Sequence, residues 1–230
     1  MLSSADEQKR AAGEAAAALV EDGMVVGLGT GSTAVWFVRA LAARGLSRLT
    51  CVATSTATAD LAASLGLKLA ELGETPPIDL TVDGADEIGP GLSLIKGGGG
   101  ALLREKLVWE ASRRCLVIAD AAKIVTTLGK FPLPIEVIAF GHKITALRIC
   151  DALSECDVGA APRLRMKDGH PVRTDSGNLI YDAACGRIEE PAALAFALKS
   201  VTGVVDHGLF LDLADQALIG GASGVTTLEP

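Results

Sequence analysis

The sequence predicts an α/β protein: a Rossmann-like, mainly parallel sheet with helices on both faces, plus a smaller α+β domain. Three observations lead there. Short apolar runs alternate with helical patterns through the first two-thirds of the 230 residues, the mark of βαβ units with right-handed crossovers. Hydrophobic residues make up 49% of the chain and aromatics only 3%, so the core is built from Ala, Val, Leu and Ile, as in strands buried under helices. Polar and glycine-rich stretches fall just after the apolar runs, at the strand ends where open α/β sheets bind ligands.

Taken in order, Ser4 and Glu7 have the spacing of a capping box and open a helix reaching about Val20. "MVVGLGTGSTAVWFVRALAARG" reads as strand, glycine turn and helix, and "LTCVATSTATADLAASLG" repeats that order. "IDLTVDGADEI" is a strand ending in a polar loop. "LSLIKGGGGALLREKLVWEASRR" reads as a further strand, loop and helix, and "CLVIADAAKIV" supplies another strand. After "GKFPLPIEV" the texture changes, with Pro132 and Pro134 marking a junction. A helix over 144–153, short extended runs around the turns "KDG" and "DSGN", and a helix over 192–200 make an α+β pattern. The expected division is a Rossmann-like domain at 1–130, completed by 207–230, and a small domain at 131–206.

Composition removes several function classes. The net charge of −7, with no basic run, argues against a nucleic-acid partner, and an anionic ligand then needs a locally positive pocket. Five cysteines, odd in number and without C-x-x-C, suit a reducing cytoplasm rather than a disulfide framework or zinc knuckle. His142, His170 and His207 share no ligand spacing. No stretch has the length of a membrane span and the N-terminus is a poor signal peptide, so a cytoplasmic protein without a membrane partner is expected.

Five post-strand loops carry the candidate chemistry: "GTGST" at 29–33, "TS" at 54–55, "DGADE" at 83–87, "KGGGG" at 96–100 and "DAAK" at 120–123. In the first, Gly29 and Gly31 allow a tight turn, while Ser32 and Thr33 put hydroxyls at a helix N-terminus, a cradle for an anion. No Lys follows as in a Walker loop, and Ala34 replaces the third glycine of a dinucleotide fingerprint. The plain alternative is a strand–helix turn capped by Ser or Thr. Asp83 and Asp86 flank Gly84 and Ala85, and they can hold sugar hydroxyls, relay protons, bind Mg²⁺ or simply cap a turn. Lys96 weighs against the metal, because a cation beside carboxylates competes with it and can stabilise an oxyanion. Taken alone, Glu105 in "LLREKLV" reads as a solvated helical charge, and Lys9 and Lys123 are equally ordinary. A desolvated Glu is nevertheless a suitable base for removing a proton α to a carbonyl.

Together "GLGTGST", "TVDGADEI", "KGGGGALLREK", "ADAAKIVTTLGKFPLPIEV", "VRTDSGNLIYD" and "GVVDHGLF" closely resemble, in order, the type A family of ribose-5-phosphate isomerase. The resemblance implies a metal- and cofactor-independent interconversion of D-ribose 5-phosphate and D-ribulose 5-phosphate through a cis-enediolate, in the non-oxidative pentose phosphate pathway. On matching positions it implies that Glu105 moves the proton between C1 and C2. Asp83, Asp86 and Lys96 would surround the sugar oxygens, with Gly84 and Ala85 allowing close approach. Thr30, Gly31, Ser32, Thr33 and Lys9 would bind the phosphate, Gly97, Gly98 and Gly99 supply backbone contacts, and Lys123 complete the pocket; Glu87 would be a bystander. It also implies a homo-oligomer, dimer or tetramer. Leu103 stands where the family often has Thr, and Gly100 where it often has Ala. Two other readings are an amino-sugar-phosphate isomerase/deaminase, which needs a post-strand catalytic His, and a non-catalytic sugar-phosphate sensor, which would lack the base.

Overall fold

A computed structural model describes residues 4–230. In chain order the elements are α1 (Ser4–Ala18), β1 (Val25–Leu28), α2 (Ala34–Ala43), β2 (Thr50–Ala53), α3 (Thr56–Ser64), β3 (Leu80–Gly84), β4 (Glu87–Ile88), β5 (Leu94–Ile95), α4 (Leu102–Glu110) and β6 (Cys115–Asp120). There follow β7 (Leu133–Val137), α5 (His142–Glu155), β8 (Arg163–Leu164), β9 (Met166–Lys167), β10 (His170–Pro171), β11 (Leu179–Ala183) and α6 (Pro191–Lys199). Last come β12 (Val204–His207), β13 (Leu209–Phe210), β14 (Gln216–Gly221) and β15 (Gly224–Leu228). Ser4 already lies inside α1, so it does not stand at the cap position expected of it.

The chain forms two compact units. The first comprises Met1–Ala85, Arg104–Ile124 and Asp212–Pro230; the second comprises Asp86–Leu103 and Val125–Leu211. Residues 86–103, 125–130 and 207–211, expected in the large domain, thus fall in the second unit.

The first unit holds a six-stranded sheet of order β15-β14-β6-β3-β1-β2, parallel except for the β15 edge. The C-terminal tail does return to this sheet, through β14 beside β6. The pleat sends alternate residues to opposite faces. Val26 and Leu28 of β1 pack with Ala12, Ala16, Phe37 and Leu41 of α1 and α2, while Val25 joins Val52, Ile78 and Val108 of α4. Helices therefore cover both faces, which is why β1 and β6 are buried along their whole length rather than at alternate residues. α1 seats closely because Gly13 has no side chain: a Cβ there would lie 2.7 Å from the Phe37 backbone nitrogen.

One expected βαβ strand belongs elsewhere. "LSLI" forms β5, which pairs antiparallel with β4 and β13 in a three-stranded sheet of the second unit. Residues 85–93 are fewer than the dozen or more that a parallel crossover needs, so after β3 the chain turns back on itself instead. The second unit also holds the antiparallel sheet β12-β7-β11-β8 and the β9–β10 hairpin. Its core runs from Leu133, Ile135 and Val137 of β7 to Ile149, Leu153, Leu194 and Leu198 of α5 and α6. Pro134, read as part of a junction, lies within β7 and pairs with Asp182.

Candidate active site

In the first unit the chain leaves β1 toward β2, then returns past β1 to lay β3 on its other side. At such a reversal, beyond the carboxyl ends of β1 and β3, sheets of this class bind their ligands. Both strands end there in the predicted loops. Asp83 is fully buried, and its Oδ1 accepts the N–H of Thr30 at 3.0 Å and of Gly84 at 2.7 Å. Gly29 is required at this crossing, because a Cβ on it would fall 2.1 Å from Asp83 Oδ1. Gly31 has φ +112°, a conformation that glycine adopts without a Cβ penalty.

The four candidate anion-binding residues, 30–33, are not equivalent. The Thr30 hydroxyl is engaged with those of Thr54 (2.7 Å), Ser55 (2.8 Å) and Thr58 (3.2 Å), and Thr58 donates to the Gly29 carbonyl at 2.9 Å. Thr30 thereby fastens the loop to the start of α3, while Gly31 and Ser32 are exposed. Thr33 stands at the N-cap of α2 but makes no side-chain capping bond, so the plain capped turn is not what is found. Thr58 drew no notice in the sequence, since a Thr inside a helix carries no signal until the loop folds over it.

Glu105 departs from the ordinary reading of its sequence. It is 3% exposed and Lys106 is buried beside it, so this is not a solvated face. Val108 of α4 meets Gly27, and Ser112 just beyond the helix bonds the Thr81 hydroxyl at 2.6 Å, near the amino end of β3. α4 therefore runs against β3, and Glu105, one turn before Val108, lies toward the carboxyl ends on the sheet face that Thr81 and Asp83 share. Lys123 closes a 3-10 turn directly after β6, whose N-cap Asp120 accepts the Ala122 N–H at 3.1 Å. Lys9 is half-buried on α1 beside Gln8, whose carbonyl lies 2.0 Å from where a Cβ on Gly220 would stand. Gly220 pairs with Asp120, so Lys9 too is near the carboxyl-end rim.

The second unit carries the remaining candidates. Asp86 Oδ2 accepts the Gly98 N–H at 2.7 Å, and a Cβ on Gly98 would meet Asp86 Oδ1 at 2.7 Å. Lys96 is 2% exposed, with Nζ 5.3 Å from the centroid of Phe210 and its backbone N–H bonded to the Gly208 carbonyl at 2.8 Å. Gly97 has φ +101° and is buried, while Gly98 and Gly99 are exposed. Glu87 is more than a bystander to the fold: its carboxylate accepts the N–H groups of Gly129 (2.7 Å) and Phe131 (2.5 Å) and pins that loop. Nor do two of the histidines sit in post-strand loops of the large sheet. His142 Nδ1 meets the Tyr181 hydroxyl at 2.7 Å, and His207 Nδ1 accepts the Leu209 N–H at 3.3 Å, all in the second unit.

The family model described as ribose 5-phosphate isomerase A (phosphoriboisomerase A) matches residues 50–224. The chain belongs to the ribose 5-phosphate isomerase A family. It is 69% identical over 227 residues to a ribose-5-phosphate isomerase A of Caulobacter vibrioides (strain NA1000 / CB15N), covering 99% of this chain and 100% of that protein. Among solved structures, a D-ribose-5-phosphate isomerase in complex with phospho-erythronic acid has TM-score 0.91 and 39% identity, over 98% of this chain and 99% of that one. The ribose 5-phosphate isomerase of Plasmodium falciparum has TM-score 0.92 and 35% identity, over 98% and 99%. Membership in the ribose 5-phosphate isomerase A family makes the chain an enzyme, an isomerase on an α/β fold. Among the described residues no helix is long and apolar enough to cross a membrane.

Proposed function

We propose that this chain interconverts D-ribose 5-phosphate and D-ribulose 5-phosphate through a cis-enediolate, without metal or organic cofactor, in the non-oxidative pentose phosphate pathway. The observation that carries the assignment of the base is the burial of Glu105 on the face of α4 turned toward the sheet. A carboxylate there moves a proton between C1 and C2 of the open-chain sugar. Asp83, Asp86 and Lys96 are assigned to the sugar oxygens, where they assist ring opening and stabilise the charge that develops on the enediolate. Gly31, Ser32, Thr33 and Lys9 hold the phosphate, with Thr30 shaping their loop. Gly84, Ala85 and Gly97–Gly99 offer backbone to the substrate, and Lys123 adds a positive charge.

Binding energy from the unreacting phosphate holds the acyclic sugar in place for proton transfer. The phospho-erythronic acid bound by the structural relative supports this reading, since its carboxylate beside a hydroxyl-bearing carbon has the charge and planarity of an enediolate. The working form is a homo-oligomer, dimer or tetramer, supported by apolar residues left exposed on the second unit: Phe140 at 90%, Phe196 at 79%, Ile144 and Leu147. The five cysteines, none in a disulfide among the described residues, are in keeping with a cytoplasmic location.

The test is ribulose 5-phosphate formation with a chelator present, for the wild type and Glu105→Gln. The expected result is an active wild type and a variant slower by about 10²–10⁴-fold in kcat. A fully active variant removes Glu105 as the base, and an inactive wild type favours the sensor.

A further inference from the structure

A glycine run is the costliest kind of chain to hold still, since it loses the most conformational freedom on ordering. Gly97–Gly99 must nevertheless present fixed backbone groups if they contact the substrate. The structure shows what holds them. Arg165, between β8 and β9, places Nη1 3.0 Å from the Gly97 carbonyl and 3.1 Å from the Gly98 carbonyl. Its other edge is taken by Asp182 of β11: Nε donates to Oδ2 at 2.8 Å, and Nη2 donates to Oδ1. The Arg165 backbone is fixed as well, with its N–H on the Ile180 carbonyl at 2.8 Å and its carbonyl accepting from Val172 at 2.9 Å. The guanidinium is thus committed on both edges, and only its planar fork reaches a carboxylate and two carbonyls at once.

The consequence follows from the planarity of the trans peptide, in which C=O and N–H point in opposite directions. The peptide between Gly97 and Gly98 turns its carbonyl to Arg165 and its N–H onto Asp86 Oδ2 at 2.7 Å. The next peptide also turns its carbonyl to Arg165, which aims the Gly99 N–H away from the guanidinium. A cation on the carbonyl side also polarises each peptide and makes its N–H a better donor.

We propose that Arg165, itself held by Asp182, is a positioning residue for the isomerisation, setting the two peptides of Gly97–Gly99 and, through Gly98, the carboxylate of Asp86 toward the substrate. The inference rests on the reading that this loop and Asp86 touch the sugar phosphate. The experiment compares kcat, KM for ribose 5-phosphate and thermal midpoint for the wild type, Arg165→Met, Arg165→Lys and Gly98→Ala, with assays well below every midpoint. Arg165→Met is expected to raise KM about tenfold and lower kcat/KM further. Arg165→Lys, which keeps the charge but cannot span Asp182 and both carbonyls, should fall between Arg165→Met and the wild type, and it carries the test if Arg165→Met does not fold. A lowered midpoint with KM and kcat unchanged in the Arg165 variants, while Gly98→Ala is impaired, overturns the positioning role alone. Unchanged kinetics in Gly98→Ala removes the loop from the substrate and takes the inference with it.

Discussion

The buried carboxylate of Asp83 accepts the N–H of Thr30 at 3.0 Å, so the end of β3 holds the loop that follows β1. Two segments 53 residues apart are locked at the point where the strand order reverses. The contact requires a bare backbone at Gly29. Replacing Gly29 with Ala would press a Cβ against both the carboxylate and the Cα of Asp83, at 2.1 and 2.5 Å. The expected cost is about 1–3 kcal/mol, as for other overpacked sites. Chemical denaturation should show it, and the variant's activity should fall further than its stability.

Thr30→Val keeps the shape of the side chain but leaves the buried hydroxyls of Thr54, Ser55 and Thr58 short of a partner. A loss of about 1–2 kcal/mol is expected. Because this cluster fixes the loop proposed to hold the phosphate, KM for ribose 5-phosphate should rise several-fold while kcat changes little, and Thr30→Ser should stay near the wild type. Steady-state kinetics on the two variants decide the matter.

Lys96 is buried beside Phe210, and its assigned work is to meet charge that exists only as the enediolate forms. Lys96→Ala should therefore lower kcat more than it raises KM. An effect confined to KM would contradict the role.

Glu136 of β7 is buried, and its Oε1 accepts from Thr174 and Asn178, each at 2.9 Å. Burial pushes its carboxyl above the usual range; the Asn178 and Thr174 bonds and the Leu103 N–H pull it down, and Asp206 opposite it on β12 pushes it up. The folded protein thus holds this proton to higher pH than the unfolded chain does. The stability it contributes is complete below the ordinary carboxylate range and is lost as pH rises through the raised value. Glu136→Gln can accept both bonds without ionising. Denaturation across acid to mildly alkaline pH should show a flatter profile for the variant, and greater stability than the wild type at the alkaline end.

Much of this was legible in order along the chain. The alternation of apolar runs and helical patterns gave the parallel sheet, and the loops "GTGST" and "DGAD" marked its carboxyl ends, because strand burial and turn chemistry are local properties. The ordered motifs pointed to the family that the comparisons then established. Glu105 was different: in "LLREK" it is one charge among three, and only the packing of α4 against the sheet makes it a buried carboxylate. The "LSLI" strand was misplaced because its partners, at 87–88 and 209–210, cannot be read from its own residues.

The sequence by itself determined the fold class, the family and which loops are candidates for the chemistry, since periodicity, glycine placement and motif order are written in neighbouring residues. Tertiary structure alone decided what holds those loops. Thr58 under Thr30, Arg165 against Gly97 and Gly98, and Glu87 on Gly129 and Phe131 are bonds between segments from 28 to 68 residues apart. The direction of a hydrogen bond between distant segments is fixed by the packing of the sheets and helices that carry them. No local pattern of residues encodes it.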